Sequence, residues 1–250
     1  MSRRPPTSPE KSPESASRAS HAALDRSTRE KKAIKISKLL PPEHLSAGAQ
    51  LLEIGTGSGW IGQYFASRGL QVSAVDIRDE RQVAAGVDFR LVQDTTLPFP
   101  DDCFDVVLSN HVLEHVGPIA AQILHLHEIA RVLAPGGIAY LASPSRWMLV
   151  EPHFRLAFLS WLPAPLRSTY VRLRRRGAWY DCNPLSLGQI RALIAHSGLH
   201  AEDITLPAAR AFYRDERPGS LTSRILAIAP TGLLTPLRSL APTHVYLLRP

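Results

Sequence analysis

The stretch that most constrains this chain is Leu51-Leu52-Glu53-Ile54-Gly55-Thr56-Gly57-Ser58-Gly59-Trp60-Ile61-Gly62. An apolar run ends in an acidic residue, three glycines alternate with small polar residues, and a helical pattern begins. The order predicts a strand, a tight turn and a helix. Glycines there permit positive φ and let the backbone approach a ligand closely. A helix starting near Ser58 would point its free N–H groups at that ligand. Glu53, at the strand end, can accept from an ammonium group. A pocket with an acceptor for an amine and donors for a carboxylate suits an amino-acid-like ligand.

Two nucleotide-binding patterns compete for this turn and neither fits. The dinucleotide pattern G-x-G-x-x-G would need a glycine where Trp60 stands, and the phosphate-binding loop would need a lysine that is absent. The arrangement E-x-G-x-G-x-G instead resembles the first motif of the class I S-adenosylmethionine-dependent methyltransferases. A glycine-rich turn with no ligand is the alternative, so the downstream text decides.

That text carries further landmarks. After a helix over Trp60–Ser67, with Ile61, Tyr64 and Phe65 at core spacing, Arg68-Gly69 is a stop signal and Leu70–Val75 reads as a strand. Asp76 then lies about 20 residues beyond the glycine turn, where an acid can bond both ribose hydroxyls of a nucleoside. A short helix is expected over Arg78–Gly86 and a strand over Val87–Val92. The run Leu97-Pro98-Phe99-Pro100-Asp101-Asp102-Cys103-Phe104-Asp105-Val106-Val107 is similar to the LPFPD-x-x-FD-x-V text of many small-molecule methyltransferases of that superfamily. The resemblance places Asp94 against an adenine amino group. Phe104–Ser109 is almost continuously apolar, as a buried parallel strand should be. A helix is expected over Ile119–Leu133, and Glu128-Ile129-Ala130-Arg131-Val132-Leu133-Ala134-Pro135-Gly136-Gly137 is close to the superfamily's E-x-x-R-V-L-x-P-G-G run. Carried onto these positions, the resemblance implies an S-adenosyl-L-methionine pocket made from Glu53, Gly55, Thr56, Gly57, Gly59, Asp76, Ile77, Asp94, Thr95 and Asn110.

The pattern up to Ser143 is β-α-β-α-β-β-α-β. It predicts an α/β doubly wound sheet with ligands at the carboxyl ends of its strands. With two later strands, over Ala201–Leu206 and Thr243–Leu248 and paired antiparallel, the resemblance implies the mostly parallel seven-stranded Rossmann-like methyltransferase fold. Residues 1–29, rich in Ser, Pro, Arg and Glu, are expected to be a disordered basic tail. Residues 30–250 form the domain, with acceptor-side helical insertions at about 145–182 and 214–241. A helix over Glu30–Leu40, with Ile34, Leu39 and Leu40 on one face and Pro41-Pro42 as its stop, is expected to cover the cofactor. Ser186–Ser197 reads as a helix with Gly198 as its cap, and Arg217–Leu240 as helical text broken at Pro230 and Pro236.

Methyl transfer from a sulfonium is an in-line displacement on an already activated donor, so the protein mainly supplies alignment. A base is needed only where the acceptor must lose a proton. His111 and His115, just after the fourth strand, are the base candidates. The run His111-x-x-Glu114-His115 is similar to the Glu-x-x-Glu-His magnesium site of quinone-biosynthesis O-methyltransferases. Histidine replaces its first carboxylate, which disfavours a hard cation, so no metal is expected. Cys103 and Cys182 stand isolated, which indicates neither a disulfide framework nor a zinc site.

The segment 145–182 combines Trp147, Phe154, Phe158, Trp161, Trp179 and Tyr180 with Arg172, Arg174, Arg175 and Arg176. It reads as a lid over an acceptor, as a surface for anionic membrane, or as an ordinary packed helical pair with a solvated basic face. A net charge of +7 favours anionic partners. Nucleic acid ranks low: there is no Asn-Pro-Pro-Tyr run and no nucleophilic cysteine pair. The sequence therefore points to a methyltransferase acting by O- or C-methylation, before N-methylation, on a small-molecule or lipid-linked acceptor. The alternative is a non-catalytic S-adenosylmethionine-fold partner subunit, which would have no need to keep the full set of acids and glycines. No apolar run reaches the roughly 20 residues of a membrane span and the basic N-terminus is not followed by an apolar stretch. A cytoplasmic protein is expected, with peripheral contact at the inner membrane surface as an option.

Overall fold

The computed structural model describes residues 25–250, so most of the expected tail lies outside the described residues. The first helix, α1, spans Arg26–Leu39. It begins four residues before the expected start, because the Asp25 side chain accepts from Thr28 N at 2.8 Å and caps it. The buried face of α1 is Ala33 and Ile36, followed by Leu40 just past its end. Ile34, assigned to that face from the sequence, is 37% exposed.

The parallel half of the domain follows. Strand β1 is Gln50–Ile54, α2 is Trp60–Ala66, β2 is Gln71–Asp76 and β3 is Val87–Leu91. Then come β4, Phe104–Asn110, α3, Ile119–Val132, and β5, Leu133–Pro144. The short helix expected over Arg78–Gly86 does not form. Local acids take the backbone instead: Asp76 Oδ1 accepts from Arg78 N and Asp79 Oδ1 from Arg81 N, each at 3.3 Å. Such side-chain turns compete with helix formation.

The segment 145–182 is less helical than expected. It holds a two-stranded hairpin, β6 (Val150–Glu151) with β7 (Leu156–Ala157), and one helix, α4 (Ala164–Leu173). A small apolar cluster of its own, Phe154, Leu156, Leu159 and Val171, holds it together. Helix α5, Leu187–His196, starts at a capping box between Ser186 and Gln189. Strand β8, His200–Asp203, stops earlier than expected. Asp203 Oδ1 accepts from Thr205 N, and α6 (Thr205–Glu216) begins there. Helical structure thus starts at Thr205, ahead of the insertion expected at about 214–241. It continues through α7 (Leu221–Ile228) and α8 (Thr231–Leu234) to β9 (Thr243–Arg249), with breaks at Pro230 and Pro236.

The seven-stranded sheet has the order β3-β2-β1-β4-β5-β9-β8. The first five strands run parallel, and β9 is antiparallel to both β5 and β8. This is the expected mostly parallel doubly wound sheet. Two apolar layers cover its faces. One joins Leu52, Val107, Leu126, Ile129, Leu141, Ile190 and Tyr246; the other joins Ile36, Leu51, Phe65, Val106, Ile138 and Leu247. Adjacent residues of one strand, Leu51 and Leu52 or Val106 and Val107, fall in opposite layers, as alternation across a two-sided sheet requires.

Candidate functional site

The strand order reverses between β1 and β4, and the carboxyl ends of these central strands form the crevice where ligands bind in such sheets. The glycine turn sits there. Gly55, Gly57 and Gly59 have φ of 74°, 53° and 82°, all in the left-handed region. A Cβ on Gly55 would stand 2.5 Å from Val112 Cγ2, and one on Gly59 would stand 2.7 Å from Val83 O. Both positions therefore demand glycine for conformation and for space.

Two carboxylates hold the turn. Glu53 is 4% exposed, and its Oε2 accepts from Thr56 Oγ1 at 2.8 Å and Gly62 N at 2.9 Å. Burial pushes its carboxyl up to about 7, against the pull of those two donors and of Arg29. Asp76 reaches back across the loop, where its Oδ2 accepts from Gly57 N at 2.9 Å. Desolvation raises its pKa, and the Gly57 and Arg78 amides oppose that rise. Ser58 Oγ is buried beside them without a hydrogen-bond partner. Ile77 follows on the rim at 46% exposure. Asp94 is exposed, and its Oδ1 accepts from Thr96 N at 2.8 Å, next to the half-buried Thr95. Asn110 is the last residue of β4, half-buried.

The sequence missed the device that fixes the Asp94 loop. Arg131 donates to Glu128 at 2.7 Å through both Nε and Nη2, to the carbonyls of Leu97 and Phe99 at 3.0 and 2.8 Å, and to Asp101 Oδ1 at 2.8 Å. Glu128 Oε2 also accepts from Leu97 N at 2.7 Å. The two sequence runs read as separate landmarks are the two halves of one clasp. Its bidentate charge-assisted bonds lower the Glu128 pKa and raise that of Arg131.

Helix α1 closes over this end of the sheet. The Arg26 guanidinium lies 4.9 Å from the Trp60 ring centroid, Lys35 pairs with Glu216, and Lys38 reaches Asp215 at 3.2 Å. Burial, then the neighbouring charges of Arg29 and Lys35, depress Lys32 to about 8. Lys32 also feels the charge of Glu114, so α1 faces the segment after β4 as well.

That segment holds both base candidates. His111 has φ 59° and its amide donates to Ala142 O at 2.8 Å. Its Nδ1 lies 3.4 Å from Oε1 of the fully buried Glu114, and His115 Nε2 lies 3.9 Å from the same oxygen. Desolvation lowers the His111 pKa, with Glu114 opposing, so the ring is neutral at pH 7. The other nitrogen of His115, Nδ1, lies 3.7 Å from Cys182 Sγ. Ligand atoms of His115, His153 and Cys182 lie within 4.8 Å of one another. Cys182, isolated in sequence, is therefore not isolated in space. The second insertion roots beside this region through Ser145 N to Pro242 O, at 2.9 Å.

Comparison with known proteins agrees with this geometry. Residues 52–141 match the model of a methyltransferase domain family. The chain is 28% identical over 181 residues to the ubiquinone biosynthesis O-methyltransferase of Xylella fastidiosa, covering 68% of this chain and 67% of that one. It is 33% identical over 129 residues to the protein of the same name from Paramagnetospirillum magneticum, covering 46% of this chain and 50% of that one. The match thus spans half to two thirds of these relatives. Among solved structures, an S-adenosylmethionine-dependent methyltransferase from Mesorhizobium loti superposes with a TM-score of 0.55 at 14% identity, covering 90% of this chain and all of that one. The left-handed glycine cradle, its two tethered carboxylates and the buried unpartnered Ser58 hydroxyl fit the donor that this family uses. Residues 52–141 are thus a methyltransferase domain, and the matches together support a class I S-adenosylmethionine-dependent methyltransferase.

Proposed function

We propose that the protein methylates a hydroxyl-bearing small molecule or lipid-linked acceptor. The observation that carries this reading is the placement of a neutral, half-buried His111 at the end of β4, two strands from Asp76 and beside the glycine cradle. S-adenosylmethionine supplies a methyl group already activated on a sulfonium. Glu53, Thr56 and the turn from Gly55 to Gly59 would hold its amino-acid end, Asp76 and Ile77 its ribose, and Asp94 and Thr95 its base, with Asn110 at the methyl. Helix α1 and the segment 145–182 exclude water from the crevice, which favours alignment over hydrolysis. His111 takes the acceptor's proton, and Glu114, within ion-pair reach of Nδ1, steadies the imidazolium that forms. His115 was an equal candidate in the sequence. Its ring is engaged with Cys182, which favours His111. The O-methyltransferase names of the two relatives support an oxygen acceptor.

The test is methyl transfer from radiolabelled donor into a metabolite extract, followed by identification of the labelled product. An O-methyl product whose formation falls about 100-fold in His111→Ala agrees with general-base help of the usual size. A labelled nitrogen, or an unaffected His111→Ala enzyme, contradicts the reading.

A second reading concerns where the acceptor is met. Leu221, Ile228, Leu233, Leu237 and Leu240 are 56–83% exposed on the second insertion, and Phe158, Leu166 and Leu173 are exposed on the first. Arginines flank both groups. We infer weak peripheral binding to anionic membrane, from apolar burial plus about 1 kcal/mol per arginine near the surface. Sedimentation with anionic vesicles at low salt should carry the protein down and high salt should release it. No sedimentation leaves a plain lid over a soluble acceptor. Among the described residues no helix is long and apolar enough to cross a membrane.

A further inference from the structure

Three side chains from distant segments converge beside the loop that follows β4. His115 belongs to that loop, His153 to the turn between β6 and β7, and Cys182 to the extended stretch before α5. Cys182 Sγ lies 3.7 Å from His115 Nδ1 and 4.0 Å from His153 Nδ1. The two imidazoles meet edge to face, with centroids 5.4 Å apart. In a tetrahedral zinc site with metal–sulfur and metal–nitrogen distances of about 2.3 and 2.05 Å, sulfur and nitrogen stand about 3.6 Å apart. Both sulfur–nitrogen distances are within a few tenths of an ångström of that spacing.

The surroundings add an independent observation. Glu114 is fully buried, and its Oε1 faces His111 Nδ1 at 3.4 Å and His115 Nε2 at 3.9 Å. Glu151 is 1% exposed; its Oε1 lies 2.7 Å from His153 Nδ1 and its Oε2 accepts from Phe154 N. Asp181 Oδ1 stands 3.7 Å from the Cys182 sulfur. This is a dense negative setting in the protein interior, and buried carboxylates are costly unless positive charge compensates them. Lys32, His111 and His115 are the groups that oppose the Glu114 charge. The arrangement also supplies what bound histidines need. A metal-ligating imidazole turns its other nitrogen to a carboxylate. His115 presents Nδ1 to the sulfur and Nε2 to Glu114. In His153 the Nδ1 that faces the sulfur is also the atom held by Glu151 at 2.7 Å, so a metal would take that nitrogen over from Glu151. A divalent cation would hold Cys182 as the thiolate.

We propose that His115, His153 and Cys182 form a site for a zinc-like divalent cation, which ties the segment 145–182 to the loop after β4 and leaves one coordination position open. One sulfur and two imidazole nitrogens select a soft or borderline ion over magnesium. The site differs in donors from a carboxylate-rich magnesium site on residues 111–115, because two of its three ligands come from the insertion. It does not depend on which acceptor is methylated.

Cobalt(II) titration of the chelator-stripped full chain, under reducing conditions, tests this. The expected result is a thiolate-to-cobalt charge-transfer band and tetrahedral visible bands that saturate at one equivalent and are displaced by zinc. Cys182→Ser should abolish the charge-transfer band and His153→Gln should weaken cobalt binding by about 100-fold. Cys103→Ser should leave the spectrum unchanged. Circular dichroism would verify that the variants fold, and the wild-type spectrum stands even if one does not. No charge-transfer band in the wild-type protein, or a band that survives in folded Cys182→Ser, overturns the proposal.

Discussion

The two sides of the ligand crevice are assembled in different ways. On the cofactor side, the holding contacts are short in sequence or run between neighbouring strands. Glu53 meets Thr56 and Gly62, and Asp76 meets Gly57, 19 positions away on the adjoining strand pair. On the acceptor side, contacts join segments with no local relation. His115 and Cys182 are 67 positions apart, and Gln122 Nε2 donates to Asn183 O across 61. Local contacts write themselves into the sequence as fixed spacings. Distant ones leave only residue types, whose meeting depends on the fold.

The predictions bear on that contrast. The largest effect is expected at Gly59. Its φ of 82° and the 2.7 Å approach of Val83 O leave no room for a β-branched side chain, so Gly59→Val should cost at least about 4 kcal/mol in cofactor affinity, roughly 1000-fold. Calorimetry with S-adenosylhomocysteine would show near-normal binding if the turn were not the cradle.

Next is the pH dependence of Glu53. Its folded pKa, raised by burial to about 7, lies above the ordinary glutamate value of 4.5. The folded state holds the proton more tightly than the unfolded one, so this stabilisation is complete below pH 4.5 and is lost as pH rises through 7. Glu53→Gln keeps a neutral group at the site. Its melting temperature relative to the wild-type chain should therefore climb between pH 5 and pH 8, by an amount worth roughly 3 kcal/mol. A flat difference would place the Glu53 carboxylate in a better solvated setting.

Asp76→Ala should follow, weakening cofactor binding by about 1.5–3 kcal/mol, the scale of charge-assisted hydrogen bonds. Unchanged affinity would mean that Asp76 serves only to tether Gly57. Arg131→Met should be smallest. The clasp is partly exposed, so its loss should lower stability by about 1–2 kcal/mol, a few degrees in this chain. Cofactor affinity should drop with it, because the loop bearing Asp94 is released. Effects confined to stability would uncouple the clasp from the site.

The contrast also explains what could be read from the sequence. The strand–turn–helix of residues 51–66, the strands from β1 to β5 and the antiparallel pair at the end were legible, because glycine placement and apolar runs record them directly. The expected helix over Arg78–Gly86 failed because Asp76 and Asp79 bond their own backbone, a preference that apolar spacing does not register. The start of α6 was missed because Ala201–Leu206 read as one strand, whereas the strand ends at Asp203 and Pro207 sits in the first helical turn, where proline is tolerated. The early start of α1 rests on one cap, Asp25, at the edge of text that otherwise reads as tail. Arg131 and Glu128 were visible as a motif but not as a clasp on residues 97–101, since spacing does not reveal partners. Cys182 gave no signal at all: a single cysteine acquires neighbours only once the insertion has folded onto the loop after β4.

The central claim is that the carboxyl ends of β1, β2 and β3 hold S-adenosylmethionine. Isothermal calorimetry of the full chain with S-adenosylhomocysteine tests it most directly. The account predicts binding at one site per chain, in which Asp76→Ala weakens the affinity about 10- to 100-fold and Gly59→Val removes it. Absence of binding by the folded wild-type protein, or equal affinity in all three, would contradict it.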